Sequence, residues 1–144
     1  MTTSVQITFD SPNPARTARF WAAVLGYVVQ PPPPGFDSWP AALQSWGVPE
    51  DQWDSASALV DPDGAGPRVF IQKVPEPKTA KNRVHLDVNV GGGHEVPFDE
   101  RKATVTKEVD RLVGLGATRL YENDQTYGYC VVMQDPDGNE FCLQ

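Results

Sequence analysis

Four side chains that can carry acid–base chemistry alternate along two short runs of the sequence. His85 and Asp87 are two residues apart in one run, and Glu140 and Cys142 are two residues apart in another. Residues two apart on a β-strand point to the same face of a sheet. Because carboxylates can move protons, Asp87 and Glu140 are candidate catalytic acids. The alternatives are that His85 is a hydrogen-bonded histidine in a polar pocket and that both carboxylates are solvated or ion-paired rim charges.

Two further runs show the same alternation of polar and apolar residues. Gln6 and Thr8 alternate with apolar residues near the N-terminus, and Arg68 and Gln72 do so in the middle of the chain. The four runs therefore predict strands with one apolar face against helices and one polar face. Such a polar face can simply be solvated. Two sheets side by side, in contrast, would curl around a shared concave site built from these side chains.

The turn sequence Asp-Pro-Asp-Gly occurs twice. It begins at Asp61 and at Asp135, 135 − 61 = 74 residues apart in a chain of 144. Each copy lies between an apolar run and a short alternating run. It predicts a β-hairpin, because Pro fixes φ, Asp bonds to the turn backbone and Gly accepts a positive φ. A repeat of about half the chain indicates a duplicated supersecondary unit.

Each half also contains one predicted amphipathic helix. Asn13 and Pro14 are suited to begin the first helix, and Gly26 and Gly116 are suited to end the two helices. The apolar stripes are Phe20, Trp21, Val24 and Leu25 in the first helix and Val105, Val109, Leu112 and Val113 in the second. The predicted strands are Val5–Asp10, Tyr27–Gln30, Ala56–Val60, Arg68–Val74, Val84–Val90, Thr118–Tyr121, Tyr127–Gln134 and the end of the last hairpin.

The resulting fold class is α+β. We expect a single domain, residues 1–144, of two βαβββ modules that form a curved mixed sheet around a shared cavity. Module one covers about 5–74, the linker 75–83, and module two about 84–144.

Residues 31–54 differ in composition from the rest of the chain. They hold three of the four tryptophans and six of the fourteen prolines. Trp39, Trp46 and Trp53 are seven residues apart, but Gly47 and Pro49 break the helical stripe that this spacing indicates. We expect a lid with short helical turns. Its tryptophans either plug one end of the core or line a ligand pocket.

Charge and composition exclude several classes of partner. A net charge of −7 repels phosphate backbones, which argues against nucleic-acid binding. No stretch has the length of a membrane span or the pattern of a secretion signal, so we expect a cytoplasmic protein. The cysteines, Cys130 and Cys142, are expected nearly opposite each other on adjacent strands. They could form a disulfide, or they could be small buried hydrophobes in a reducing compartment.

The motifs FWAAVLGY, VHLDV, LVGLGAT and DPDGNEF, in this order, resemble those of the vicinal oxygen chelate superfamily. This superfamily includes glyoxalase I, bleomycin-resistance proteins, extradiol dioxygenases and related lyases. The chain is most similar to small bacterial glyoxalase-like proteins, and the resemblance covers essentially its whole length. It implies the paired βαβββ fold described above and makes a homodimer the expected assembly.

The resemblance also implies four positions for the ligands of a divalent metal, namely Gln6, Gln72, His85 and Cys142. Family members with a working metal centre have His or Glu at these positions, and here only His85 is typical. Because neutral amides do not offset the charge of a dication, we expect no standard metal centre. The alternative is zinc, held through His85 and Cys142, or another divalent metal.

Two functions follow from this resemblance. The first is metal-independent binding of a small organic molecule. The expected ligand-binding residues are Gln6, Thr8, Gln72, His85, Cys142, Trp46 and Trp53. The second is a metal-dependent lyase, isomerase or dioxygenase with an altered ligand set, in which Asp87 or Glu140 is the acid. In both cases the partner is a small molecule rather than a nucleic acid or a membrane.

Overall fold

The structure is a computed structural model that describes residues 1–125 and 128–144. The chain divides into two compact units, Met1–Pro77 and Lys78–Gln144, which we call module one and module two. In the part of the chain described, no helix is both long enough and apolar enough to cross a membrane.

Module one is a four-stranded mixed sheet with a long helix on one face. Its strands are β1 (Ile7–Ser11), β2 (Val28–Val29), β3 (Ala56–Val60) and β4 (Val69–Lys73), and its helices are α1 (Pro14–Leu25) and α2 (Trp39–Ser45). The strand order is β1-β4-β3-β2. The first strand pairs in parallel with β4, and β3 pairs antiparallel with both β4 and β2.

Module two repeats this topology. It contains β5 (Leu86–Val88), α3 (Phe98–Gly114), β6 (Thr118–Gln125), β7 (Gly128–Gln134) and β8 (Glu140–Leu143). The strand order is β5-β8-β7-β6, with β5 parallel to β8 and the other pairs antiparallel. The predicted start of β7 at Tyr127 lies outside the described residues. The α+β fold with two βαβββ modules is confirmed, and β4 and β8, which follow the two Asp-Pro-Asp-Gly turns, occupy equivalent places.

The first helix begins and ends as the sequence predicts. The Asn13 side chain accepts a hydrogen bond from the Arg16 N–H at 3.2 Å, and Gly26 ends the helix with a φ of 69°. The apolar stripe packs on the sheet: Trp21 is fully buried, and its ring stacks on that of Phe9 with centroids 4.9 Å apart. The core of module one therefore lies between α1 and one face of its sheet.

The apolar stripe of the second long helix is narrower than predicted. Val105, Val109 and Leu112 are buried, whereas Val113 is 47% exposed. At 3.6 residues per turn, a residue at i+8 lies about 80° around the helix from the residue at i. Val113 thus lies at the edge of the helix face that packs on the sheet.

Two strand lengths differ from the prediction because pairing partners set them. The fifth strand has three residues and begins at Leu86, since its partner β8 is itself short. His85 therefore lies just before the strand. The sixth strand runs on to Gln125 instead of stopping at Tyr121, because β7 provides a partner along that length.

The segment between β2 and β3 forms short helical turns, as predicted. Ser38 caps α2 by accepting from the Ala41 N–H at 3.2 Å, and Pro40 lies in the first turn. Gly47, with a φ of 75°, ends the helical path, and a separate 3-10 turn follows at Glu50–Gln52. Trp39 and Trp46 therefore lie at the two ends of α2, whereas Trp53 follows the separate 3-10 turn.

Candidate functional site

The polar face of module two gathers a histidine, a carboxylate and a thiol. In the β5–β8 pair, Asp87 lies opposite Cys142. His85 Nδ1 is 3.0 Å from Asp87 Oδ1 and 3.9 Å from Cys142 Sγ. The side chains of His85 and Asp87 are each 46% exposed, whereas Cys142 is buried. These three groups line one wall of a cavity of about 220 Å³.

This cluster fits a zinc-type donor set. One ligand atom from each of His85, Asp87 and Cys142 can be chosen so that all lie within 4.8 Å of one another. Tetrahedral zinc with bonds of about 2.0–2.3 Å needs donor atoms about 3.3–3.8 Å apart, so modest side-chain rotations would close the site. Asp87 enters this set as a carboxylate donor that the family resemblance did not imply.

The thiol of Cys142 is held in its neutral form. Burial is the main cause that raises its pKa to about 12, and the neighbouring Cys130 and Asp87 add to it. Both cysteines are free thiols. The strand register pairs Cys142 with Val132, so Cys130 lies on the adjacent strand as the diagonal neighbour of Cys142. Binding of a cation by Cys142 would have to displace its proton.

The two candidate catalytic acids have different surroundings. Asp87 contacts His85, whereas Glu140 forms an ion pair with Lys81. The hydrogen bond from Lys81 lowers the pKa of Glu140 below its ordinary value. Glu140 is therefore an ionised, paired carboxylate, and Asp87 is the acid placed to orient the imidazole of His85.

In module one, the two glutamines that the family resemblance gives as ligands lie far apart. Gln72 is opposite Asp10 in the β1–β4 pair, and its amide donates to Asp10 Oδ1 at 2.7 Å. Gln6 is four residues before Asp10, roughly 13 Å along the strand at about 3.3 Å per residue. The two amides do not converge on one ion.

The repeat identifies the residue that corresponds to Cys142. Cys142 pairs with the residue two positions after His85. In module one, the residue two positions after Gln6 is Thr8, and it pairs with Phe70. By this register Phe70, rather than Gln72, occupies the position of Cys142 in module one, two residues before the position that the family resemblance gives. Thr8 is exposed on the same face.

Module one contains a second, more apolar cavity of about 380 Å³. Its walls come from the polar face of the sheet and from the lid. The lining residues are Val29, Gln30, Trp39, Leu43, Gln52, Trp53, Ser55, Ala56, Ser57, Ala58, Arg68 and Phe70. Both tryptophan rings in this lining are held by their N–H groups: Trp39 donates to the Gln30 carbonyl at 2.7 Å and Trp53 to the Val48 carbonyl at 2.9 Å.

Of the two tryptophans predicted to contact ligand, the structure places Trp53 in this lining but not Trp46. Trp46 is 55% exposed and packs edge-on against Trp39 and Phe36. Trp39 takes its place in the wall. Sequence reasoning also missed Gln30, for which the signal was a polar residue directly before the proline run at the end of a predicted strand.

Comparisons with known proteins agree with this architecture. A family profile described as a glyoxalase-like domain matches residues 6–144. A search of the curated proteins finds no match.

Solved structures similar to this chain come from several bacteria. A glyoxalase/bleomycin resistance protein/dioxygenase family enzyme from Burkholderia phytofirmans PsJN has a TM-score of 0.59 at 15% identity, covering 96% of this chain and 94% of that chain. The fosfomycin resistance protein FosX from Mesorhizobium loti has a TM-score of 0.62 at 13% identity, covering 100% and 91%. A FosX variant from Listeria monocytogenes, complexed with Mn(II) and 1S,2S-dihydroxypropylphosphonic acid, has a TM-score of 0.61 at 14% identity, covering 100% and 90%. At such identities the likeness establishes the fold.

Proposed function

This chain belongs to the glyoxalase-like domain family of the vicinal oxygen chelate superfamily, and from that membership we propose that it binds a small organic molecule in the aromatic cavity of module one. The observation that supports this function is the cavity itself. Its volume of about 380 Å³ lies within the range of about 300–1,000 Å³ typical of small-molecule sites.

The walls of the cavity present mainly apolar surface to a ligand. Trp39, Trp53 and Phe70 offer aromatic surface, and Leu43 and Ala58 add aliphatic surface. Because backbone carbonyls already accept the two indole N–H groups, these rings are fixed in orientation before a ligand arrives. Preorganised side chains lose little conformational entropy on binding, which favours affinity. Binding of this kind requires no metal.

We expect Trp39→Leu and Trp53→Leu each to weaken binding of a one-ring aromatic probe by about 2- to 13-fold, since one aromatic contact contributes about 0.5–1.5 kcal/mol. The affinity is measured by titrating each variant with 4-nitrobenzoate and with 4-nitrobenzamide, using calorimetry and the quenching of tryptophan emission as the two signals. The control is Trp46→Leu, which changes an exposed tryptophan outside the lining. Unchanged affinity and quenching in both lining variants would refute the assignment of the cavity.

A second function is favoured by the His85–Asp87–Cys142 cluster of module two, namely a metal-dependent lyase, isomerase or dioxygenase. The three donors would hold the ion, and zinc is the metal that best matches nitrogen, thiolate and carboxylate ligands. A bound divalent metal supplies Lewis-acid polarisation of a substrate oxygen. With Asp87 as a ligand, Glu140 is the remaining candidate acid, and its ion pair with Lys81 lies at the wall of the same cavity.

For this second site we expect measurable zinc binding but weak binding of Mn, Fe, Ni and Mg. His85→Ala should lower zinc affinity by at least about 100-fold, because loss of a ligand costs more than the loss of a residue that orients one. His94→Ala is the matched control, since it removes the other histidine of the sequence. Affinity is measured by competition with a chromophoric chelator on protein without an affinity tag. Stoichiometric Fe, Mn or Ni in protein purified without a chelator, lost on His85→Ala, would contradict the expected preference for zinc. It would also favour the metal-dependent enzyme over the metal-independent binding protein.

A further inference from the structure

A positively charged side chain, that of Arg68, lines the aromatic cavity of module one. Arg68 is half-buried directly before β4, and its guanidinium lies 5.4 Å from the centre of the Phe70 ring. Its Nε donates to Gln30 Oε1 at 2.7 Å, and its Nη1 donates to Gln6 Oε1 at 2.8 Å. Two side chains, one just before β1 and one just after β2, thus fix the position of the guanidinium.

The hydrogen-bond partners of this guanidinium do not balance its charge. Both of its hydrogen-bond acceptors are neutral amides. Of the described residues that line the cavity, Arg68 is the one that carries a charge. None of the ion pairs found among residues 1–125 and 128–144 includes it. A half-buried cation held by neutral groups keeps its electrostatic attraction for an anion.

The guanidinium also retains the donors that an anion needs. It has five N–H donors. Two of them are used by Gln30 and Gln6, so 5 − 2 = 3 remain. Arginine and a carboxylate match in shape and form paired, charge-assisted hydrogen bonds. Because the Arg68 side chain is half-buried, such a pair is stronger there than at a fully exposed surface.

We propose that the ligand of module one is a small aromatic carboxylic acid whose carboxylate binds Arg68 and whose ring packs against Trp39, Trp53 and Phe70. This inference rests on the proposed function, because it names the ligand class of the same cavity. Gln6 and Gln30 are positioning residues: they hold the guanidinium while leaving its charge available. The position that the family resemblance gives to a metal ligand, Gln6, therefore serves to orient an arginine in this chain.

The test compares two probes of the same shape and different charge, 4-nitrobenzoate and 4-nitrobenzamide, by calorimetry. We expect the wild-type protein to bind the carboxylate at least about tenfold more tightly than the amide. Arg68→Gln should remove that preference while leaving the affinity for the amide within about threefold. Arg83→Gln is the control. It removes one positive charge, as Arg68→Gln does, but Arg83 belongs to module two, so this variant should leave the preference for 4-nitrobenzoate unchanged.

A second variant keeps Arg68 and neutralises its charge. In Gln30→Glu a carboxylate of nearly the same shape takes the place of the amide that accepts from Arg68 Nε. It should reduce the preference for 4-nitrobenzoate to less than about threefold. The variant Gln30→Met, which removes the hydrogen bond without adding charge, should retain more of the preference than Gln30→Glu.

The outcomes separate this inference from the proposed function. If neither probe binds, the proposed function fails. If both probes bind equally to the wild-type protein and quench its tryptophans, the cavity binds ligands and the acid preference is refuted. The role of Arg68 would also be overturned if the preference for 4-nitrobenzoate remained in Arg68→Gln. The same would follow if Arg83→Gln reduced that preference as much as Arg68→Gln does.

Discussion

Replacing Trp21 by Ala is expected to lower the free energy of unfolding by about 3–5 kcal/mol. The Trp21 side chain is 0% exposed, its ring stacks on Phe9, and it meets the ring of Phe20 edge-on with centroids 5.8 Å apart. Truncation removes these contacts and leaves a void that the helix α1 and the sheet cannot close without moving. A domain of this size is stable by about 5–15 kcal/mol, so the loss is a large fraction of the total.

Urea unfolding followed by far-ultraviolet circular dichroism measures this change. Trp46→Ala is the matched control, because it makes the same truncation at a side chain that is 55% exposed. We expect a loss of about 1 kcal/mol or less there, as for most surface substitutions. Similar losses at the two positions would show that Trp21 is not a central core residue.

Asp135→Ala is expected to cost about 2–4 kcal/mol of stability, because it removes three hydrogen bonds that each contribute about 0.5–1.5 kcal/mol. Asp135 is 2% exposed. Its carboxylate accepts from the Asp137 and Asn139 backbone N–H groups and from the Asn139 side-chain amide, each at 2.9 Å. Removing it leaves three donors without this partner in the turn that leads into β8.

The duplicated turn of module one supplies the control for this prediction. Asp61 accepts from the N–H groups of Asp63, Ala65 and Gly66, and these hydrogen bonds lower its pKa. Asp61 is more exposed than Asp135, so water can replace the lost acceptor. Asp61→Ala should therefore destabilise the protein less than Asp135→Ala does. A larger loss for Asp61→Ala in the same urea titration would contradict this account.

The two modules use one topology for different chemistry. In the repeat, Gln6 corresponds to His85 and Phe70 to Cys142, which places Arg68 at the position of Glu140. Module two has an imidazole, a thiol and a carboxylate on its polar face, whereas module one has an aromatic ring and a guanidinium. The backbone is repeated, but the donors that would bind a metal are concentrated in module two and the aromatic ligand surface in module one.

Much of the fold was determined by local sequence patterns. Period-two alternation identified the strands, the spacing of Phe20, Trp21 and Val24 identified the face of α1, and the two Asp-Pro-Asp-Gly turns identified the duplication. These signals work because each element must bury one face, and the periodicity of that face is set by backbone geometry alone. The alternation of β5 and β8 likewise placed His85, Asp87 and Cys142 on one face.

Only the tertiary structure decided which residues of neighbouring strands lie opposite each other and which side chains contact each other. Local alternation says which face a residue occupies, but the register between β1 and β4 separates Gln6 from Gln72 and brings Arg68 within reach of Gln6. The contact between Arg68 and Gln30 joins residues 38 positions apart, which no local pattern encodes. Likewise, the equal spacing of Trp39, Trp46 and Trp53 does not reveal that Trp46 alone of the three is exposed and outside the cavity lining, because the burial of each ring depends on what packs against it. Pairing across strands depends on the packing of whole elements, and that is why the aromatic cavity and its arginine appear only in the folded chain.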